Sequence, residues 1–193
     1  MNQRLNTILE LSGEMHRHIC PRQVLGARMG LLAGATLGLE LPRTDKRLLV
    51  LVETDGCFAD GVSAATGCWL GRRTLRLMDY GKVAATFIDT RVGLAVRIAP
   101  HQQARAKVRV LFGHLSKWSA YLEGYKVLPD EELLTVQAVN LNFSLEQLLS
   151  HAGARVTCEQ CLEEILNQRE VRQNGRVLCQ SCAGESYWTK LMT

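Results

Sequence analysis

The sequence predicts an α+β protein, a mixed or antiparallel sheet core with packed helices, followed by a small C-terminal treble-clef zinc finger. Three observations lead there. Helical apolar stripes interleave with short apolar runs up to about residue 150. Four cysteines then follow as Cys158-x2-Cys161-x17-Cys179-x2-Cys182. The chain has 193 residues, 47% hydrophobic and 22% charged, which suits one sizeable core with a small appendage. The expected division is a core domain over 1–151 and a finger over 152–193, with the boundary near His151–Val156.

Leu5, Ile8, Leu9 and Leu11 recur at helical spacing and predict a first helix within 3–19. Pro21 suits a first helical position, and Leu25, Met29, Leu32, Thr36 and Leu39 make one stripe of a second helix. Gly26, Gly30, Gly34 and Gly38 make another stripe, at about 1 kcal/mol each relative to Ala. Close backbone approach would offset that cost, and tight packing of the helix on a sheet is preferred to a ligand groove.

Leu48–Thr54 reads as a central buried strand. Asp55-Gly56-Cys57 is a turn that leaves Cys57 just past the strand, and Asp60 caps a short helix to Thr66, with Cys68 following Gly67. Thr74–Met78, Val83–Ile88 and Val92–Ile98 are strands whose breaks, Asp79-Tyr80-Gly81 and Asp89-Thr90-Arg91, fit a meander. Gln102–Leu122 reads as one long amphipathic helix, Pro129–Leu133 as a turn or short helix, and Val136–Phe143 as a strand. Ser144-x-x-Gln147 resembles a capping box before a last short helix.

Charge narrows the function. Residues 1–150 hold 18 basic and 14 acidic side chains, and residues 151–193 hold 5 of each. Nucleic-acid modules concentrate basic residues on the binding element, whereas this finger is neutral. No nucleic-acid partner is expected. No apolar run reaches the ~18 residues of a membrane span, so no membrane partner is expected either. The opening MNQRLNTILELSGEMHRH lacks an apolar h-region and an A-x-A site, and a cytoplasmic location is expected. A Gly-rich phosphate fingerprint and a Ser nucleophile motif are both missing.

Two Cys-x2-Cys pairs 17 residues apart match a four-thiolate zinc module formed by Cys158, Cys161, Cys179 and Cys182. Asn174-Gly175 predicts a hairpin between Arg169–Arg172 and Arg176–Leu178, and Gln180–Met192 is helix-compatible. Knuckle, hairpin and a helix carrying the last ligands is the order of a treble clef. A closed four-thiolate site is structural, because no coordination position stays open for substrate.

His16-x-His18-x-Cys20-Pro21 sets two imidazoles and a thiol just before a helix. If extended, this segment points all three to one side, and the helix N-terminus favours a thiolate at Cys20. Cys57 is the fourth candidate ligand, with Cys68 nearby. Thiolate plus imidazole suits zinc, iron or copper, and zinc or iron is the expected core metal. The alternative is solvated loop histidines and cysteines buried as small hydrophobes.

Met15-His16-Arg17-His18-Ile19-Cys20-Pro21, continuing through Leu25-Gly26-Ala27-Arg28-Met29-Gly30, resembles the motif of the FmdE family, named for a component of formylmethanofuran dehydrogenase. Asp55-Gly56-Cys57, Asp60-Gly61, Thr66-Gly67-Cys68 and Asp79-Tyr80-Gly81-Lys82 follow in that family's order. The resemblance implies an α+β core with a zinc finger. It also implies a homodimer, and an accessory or subunit-like role beside a molybdenum or tungsten oxidoreductase. Tyr187, Trp188 and Leu191 would form the apolar face by which the finger's helix packs on the core or on a second copy. Arg17 and Arg22 stand where the family has Gly, and Arg72-Arg73 replaces a Gly/Lys-rich stretch. These guanidinium groups either attract a small anionic ligand or are solvated surface charges. Two other functions stay open. One is a stand-alone enzyme or thiol redox protein using Cys20, Cys57 or Cys68; the other is a zinc-finger regulator.

Overall fold

The structure, a computed structural model, describes residues 3–149 and 153–191, and His16 by its backbone alone. The boundary expected near His151 falls on residues outside the described ones. The chain divides into two compact units, 1–140 and 141–193.

The first unit opens with α1 (Gln3–His16), which buries Leu5, Ile8 and Leu9 as their spacing requires. Helix α2 (Pro21–Leu37) follows, with Pro21 at its first position, and Gly38 in the left-handed conformation ends it. Strand β1 (Leu48–Val52) is buried at all five positions, as an apolar run without alternation demands. Helix α3 (Cys57–Thr66) leads to β2 (Leu75–Leu77), which pairs parallel with β1. Strands β3 (Ala85–Asp89), β4 (Leu94–Pro100) and β5 (Leu134–Ala138) add on antiparallel, giving the order β2-β1-β3-β4-β5. The sheet is mixed, and its core also takes Phe58, Phe87, Met29 and Ile98.

Several local expectations need correction. Three successive strands do not form a meander, because β2 lies on the far side of β1 and only β3–β4 is a sequential hairpin. The connecting segment is anchored where Tyr80 and Lys82 donate their N–H groups to the Glu53 carbonyl. Asp60 does not cap the short helix but lies inside its first turn, because the helix already starts at Cys57. Cys57 is the first residue of α3, and the preceding Gly56 takes φ 75°, ψ −157°, a conformation open essentially to glycine.

The single helix expected over 102–122 is two, α4 (Ala104–Leu111) and α5 (Lys117–Val127). Ser116 caps α5 by accepting from the Ser119 N–H at 3.2 Å. A Cβ on Gly113 would lie 2.6 Å from the Arg109 carbonyl oxygen, so the break is built around glycine. A short helix α6 (Asp130–Leu133) precedes β5, which overlaps the strand expected at 136–143 only over its last residues, Val136–Ala138.

Of the glycine stripe, Gly26 and Gly30 meet a helix, not the sheet, while Gly34 packs on Leu39 and Leu41 and Gly38 ends α2. A Cβ on Gly26 would lie 2.2 Å from the Phe58 carbonyl oxygen, and one on Gly61 of α3 would lie 2.2 Å from the Gln23 carbonyl oxygen. Reciprocal glycines thus let the two backbones touch, with the helix starts at the same end.

The second unit holds α7 (Leu145–Leu149), capped where Ser144 Oγ accepts from the Gln147 N–H at 3.3 Å. Two hairpins follow: β6 (Arg155–Thr157) with β7 (Glu164–Leu166), and β8 (Val171–Gln173) with β9 (Arg176–Leu178). Asn174 and Gly175 take φ 52° and 77°, both positive, as a tight hairpin turn requires. The last element is one helical turn, Ser181–Glu185, instead of a helix to Met192. Gly184 at φ 111° unwinds it, so no helical apolar face forms; Tyr187, Trp188 and Leu191 are exposed. Met192 lies outside the described residues.

Candidate functional site

The four cysteines of the second unit come together in pairs. Cys158 and Cys161 sit on the turn between β6 and β7, where Leu162 donates its N–H to the Cys158 carbonyl at 3.0 Å. Cys179 and Cys182 flank the start of the final turn. Backbone N–H groups aim at sulfur, from Cys179 to Cys158 Sγ at 3.3 Å and from Cys182 to Cys179 Sγ at 3.4 Å. The second hairpin is tied to the knuckle by the Glu159 carboxylate, which accepts from the Val177 N–H at 3.0 Å.

All four sulfurs lie within 4.8 Å of one another. A tetrahedral zinc at about 2.3 Å from each would hold them about 3.8 Å apart. Cys161 Sγ and Cys179 Sγ are already at 3.9 Å. The residues therefore fit a metal closely.

Their acidities point the same way. N–H donation from Cys161 lowers the Cys158 thiol to about 6, assisted by Cys179 and opposed by burial. Cys182 is pushed up to about 12, first by its hydrogen bond with Cys179 and then by desolvation. Four sulfurs this close cannot all be anionic without a cation among them. Among the described residues, the buried apolar partners are Ile165 and Leu178 alone, too few to order the unit by themselves. A four-cysteine metal-binding cluster is the result.

In the first unit the segment 16–20 is not extended. His16 ends α1, and Arg17 turns left-handed at φ 62°, so the alternation that would align His16, His18 and Cys20 does not arise. His18 is exposed, and the His16 side chain lies outside the described part of the chain. Cys20 is buried at the start of α2. Its N–H donates to Gln23 Oε1 at 2.7 Å, while Gln23 Nε2 donates to the Ser12 carbonyl and hydroxyl. Cys-x-x-Gln thus stands where a Ser-x-x-Gln capping box would, and this spacing could have revealed it.

Cys20 meets Cys57. Burial, and then the hydrogen bond with Cys20, hold the Cys57 thiol above its ordinary value. The two thiols line a cleft of about 380 Å³. Arg22 lines it too; Arg17 and His18 are not among its lining residues. Cys68 lies apart, its Sγ 3.5 Å from the Leu48 carbonyl, with burial raising its thiol. Arg72 is exposed beside the Gly67 carbonyl. Five lining residues lie on α4 and α5, beyond the reach of local motifs: Arg105, Lys117, Trp118, Tyr121 and Tyr125. Their signal was a cation in the first turn of each helix, legible only once the break at 112–116 is known.

A mixed-sheet core unit with a paired-thiol cleft, followed by a four-cysteine finger, defines a two-unit metal-binding protein. The chain belongs to the FmdE family: the family model described as "FmdE, Molybdenum formylmethanofuran dehydrogenase operon" matches residues 15–150. An FmdE-like protein of tungsten formylmethanofuran dehydrogenase type, from Syntrophus aciditrophicus, shares the fold. Its crystal structure aligns with TM-score 0.63 over 96% of this chain and 95% of that one, at 24% identity. A "Probable S-adenosyl-L-methionine-binding protein" of Archaeoglobus fulgidus is 38% identical over 98 residues, 49% of this chain and 27% of that protein. The chain thus spans little more than a quarter of that relative's length. Among the described residues no helix is long and apolar enough to cross a membrane.

Proposed function

We propose that this is a metal-binding accessory or subunit-like protein of the cytoplasm, with zinc in the four-cysteine cluster and its working site in the core cleft. The observation that carries the reading is the convergence of Cys20 and Cys57 in one cleft from the starts of two crossing helices. Cys20 and Cys57 would contribute thiolates to a second metal, zinc or iron, whose other ligands need not be His16 and His18, since His18 lies outside the cleft lining. Zinc held there would polarise a bound ligand, and iron would add the capacity to exchange an electron with it. The partner would be a molybdenum or tungsten oxidoreductase, and the protein would work as a homodimer.

S-adenosyl-L-methionine, named for the Archaeoglobus relative, is a sulfonium cation. A cleft rimmed by Arg22, Arg105 and Lys117 repels a cation, so a small anion is the better match here.

Metal analysis of the anaerobically purified full chain tests the reading. Two equivalents per chain, falling to one in both Cys20→Ser and Cys57→Ser, is the expected result. One equivalent that neither change disturbs would leave the second reading, a thiol redox protein or stand-alone enzyme acting through Cys20 and Cys57. That reading draws on the direct contact of the two thiols. Light scattering of the full chain tests the homodimer, and a monomeric mass at micromolar concentration overturns it.

A further inference from the structure

The core cleft has a composition that the paired thiols alone do not explain. One wall is aromatic. Tyr121 and Tyr125 stack with ring centroids 5.5 Å apart and planes at 4°, and Trp118 stands beside them, half exposed. The charged lining residues are all cations: Arg22, Arg105 and Lys117. Among the described residues, no carboxylate lines the cleft.

These cations sit where helix electrostatics disfavours them. Arg22 is the second residue of α2, Arg105 the second of α4, and Lys117 the first of α5, and none of these first turns carries an acidic residue. A helix start is the positive end of the dipole, so each cation there is repelled by its own helix. Arg105 is held against Tyr125. Arg22 and Lys117 make no ion pair or hydrogen bond among the described residues. An arrangement that raises the energy of the empty site at three helix ends becomes favourable once an anion enters. At about 380 Å³ the cleft admits a molecule the size of a mononucleotide and excludes a folded partner.

Building on the core cleft as the working site, we propose that it takes an anionic ligand built on a flat ring system. The ring lies on the Trp118–Tyr121 wall, the acidic groups face Arg22, Arg105 and Lys117, and the far end reaches the Cys20–Cys57 pair. Flat rings stack on aromatic faces whatever their substituents, while the cations select charge.

The test uses the full chain and two matched probe pairs, AMP with adenosine and flavin mononucleotide with riboflavin, followed by tryptophan fluorescence and calorimetry. Inorganic phosphate is the ringless control. At least one phosphorylated probe is expected to bind with Kd below about 1 mM, and about tenfold more tightly than its uncharged partner and than phosphate. Arg22→Gln and Lys117→Gln, both changes at unpaired exposed side chains, should each weaken that binding severalfold and make its loss with salt shallower than in the parent. Trp118→Leu should remove the fluorescence response and weaken binding.

Failure of both phosphorylated probes to saturate, or equal binding of an uncharged partner, overturns the proposal. So does unchanged affinity in both charge variants. Zinc and iron content of the same samples reports separately on the proposed core metal. Probe binding without a core metal upholds the ligand class and removes the metal; a core metal without probe binding does the reverse.

Discussion

Gly26 of α2 and Phe58 of α3 meet backbone to backbone: a Cβ on Gly26 would stand 2.2 Å from the Phe58 carbonyl oxygen and 2.8 Å from the Val62 nitrogen. No side-chain adjustment relieves that contact, because both atoms belong to the main chain. The crossing also has a functional consequence, since it brings the starts of α2 and α3, and with them Cys20 and Cys57, to one cleft.

Gly26→Ala therefore sets two effects against each other. Helix propensity gains about 1 kcal/mol, and forced separation of the helices costs about 3 kcal/mol. The clash wins, and the melting temperature should fall by several degrees, about 2–4 °C per kcal/mol at this chain length. Gly71→Ala, where a Cβ meets nothing within 4 Å, is the control and should melt with the parent. A Gly26→Ala protein as stable as the parent would show that α2 and α3 are not held this closely.

Arg28 interrupts the apolar face of α2, and its destination could not be read locally. Its guanidinium donates to the carbonyls of Tyr125 at 2.8 Å, Lys126 at 3.2 Å and Leu128 at 2.7 Å, and to Asp130 at 2.7 Å. These carbonyls close the end of α5, where no helical N–H remains to satisfy them. Arg28→Met should cost about 3 kcal/mol by leaving carbonyls and Asp130 unpaired. Arg28→Lys should recover only about a third of that, since one ammonium cannot span a planar fork of acceptors. Denaturant midpoints of the three proteins measure both effects, and equal stability of the lysine and arginine forms would refute the fork.

Legibility in the sequence followed locality. Cys158, Cys161, Cys179 and Cys182 were readable because each pair fits one turn and Asn174-Gly175 announces the hairpin between them. The all-apolar Leu48–Val52 announced a central strand. What failed required tertiary knowledge. The reason for Gly26 and Gly30 in α2 lies in Phe58, Gly61 and Ala65 of α3, about 30 residues on. The aromatic wall of the cleft and two of its three cations lie beyond residue 100, on helices whose separation depends on Gly113 and Ser116. His16, His18 and Cys20 looked aligned only under an extended backbone, which Arg17 at φ 62° does not allow. The final turn ended early because Gly184 admits a left-handed φ that overrides a helix-compatible composition.

Acid stability should depend on Asp89. Hydrogen bonds from Arg47, at 3.0 Å to Oδ1 and at 2.6 and 3.1 Å to Oδ2, hold the carboxyl below the ordinary range against the opposing effect of burial, and the Arg91 N–H adds to them. A depressed carboxyl stabilises fully above its unfolded value, about 3.9, and that contribution is lost as pH falls through the folded value. Asp89→Asn should therefore be less stable than the parent at pH 7, by less than the loss of a fully buried pair costs, because Arg47 is part-exposed. The gap between the two proteins should narrow as pH falls below that unfolded value, and close once pH passes the folded value. Urea midpoints from pH 2 to 7 give the comparison, and a constant gap across that range would exclude the linkage.

The finger should owe its order to metal more than to packing. Its buried cluster is Cys158, Ile165 and Leu178, with Val156 and Ala183 alongside, a fraction of what a free-standing unit of this size needs. Four thiolates around one ion supply the missing stability, as binding free energy becomes folding free energy when no site exists in the unfolded chain. Cys179→Ser replaces a thiolate whose sulfur also accepts the Cys182 N–H, so both ligation and the final turn are weakened. The full-length variant should retain one metal equivalent fewer than the parent by elemental analysis, with zinc as the element lost. Hydrogen exchange should accelerate across residues 153–185 while β1, β3 and α2 stay protected. A chelator should reproduce the same exchange pattern in the parent, and restored zinc should reverse it. Protection of the finger that survives both treatments would mean that packing, and not the metal, orders it.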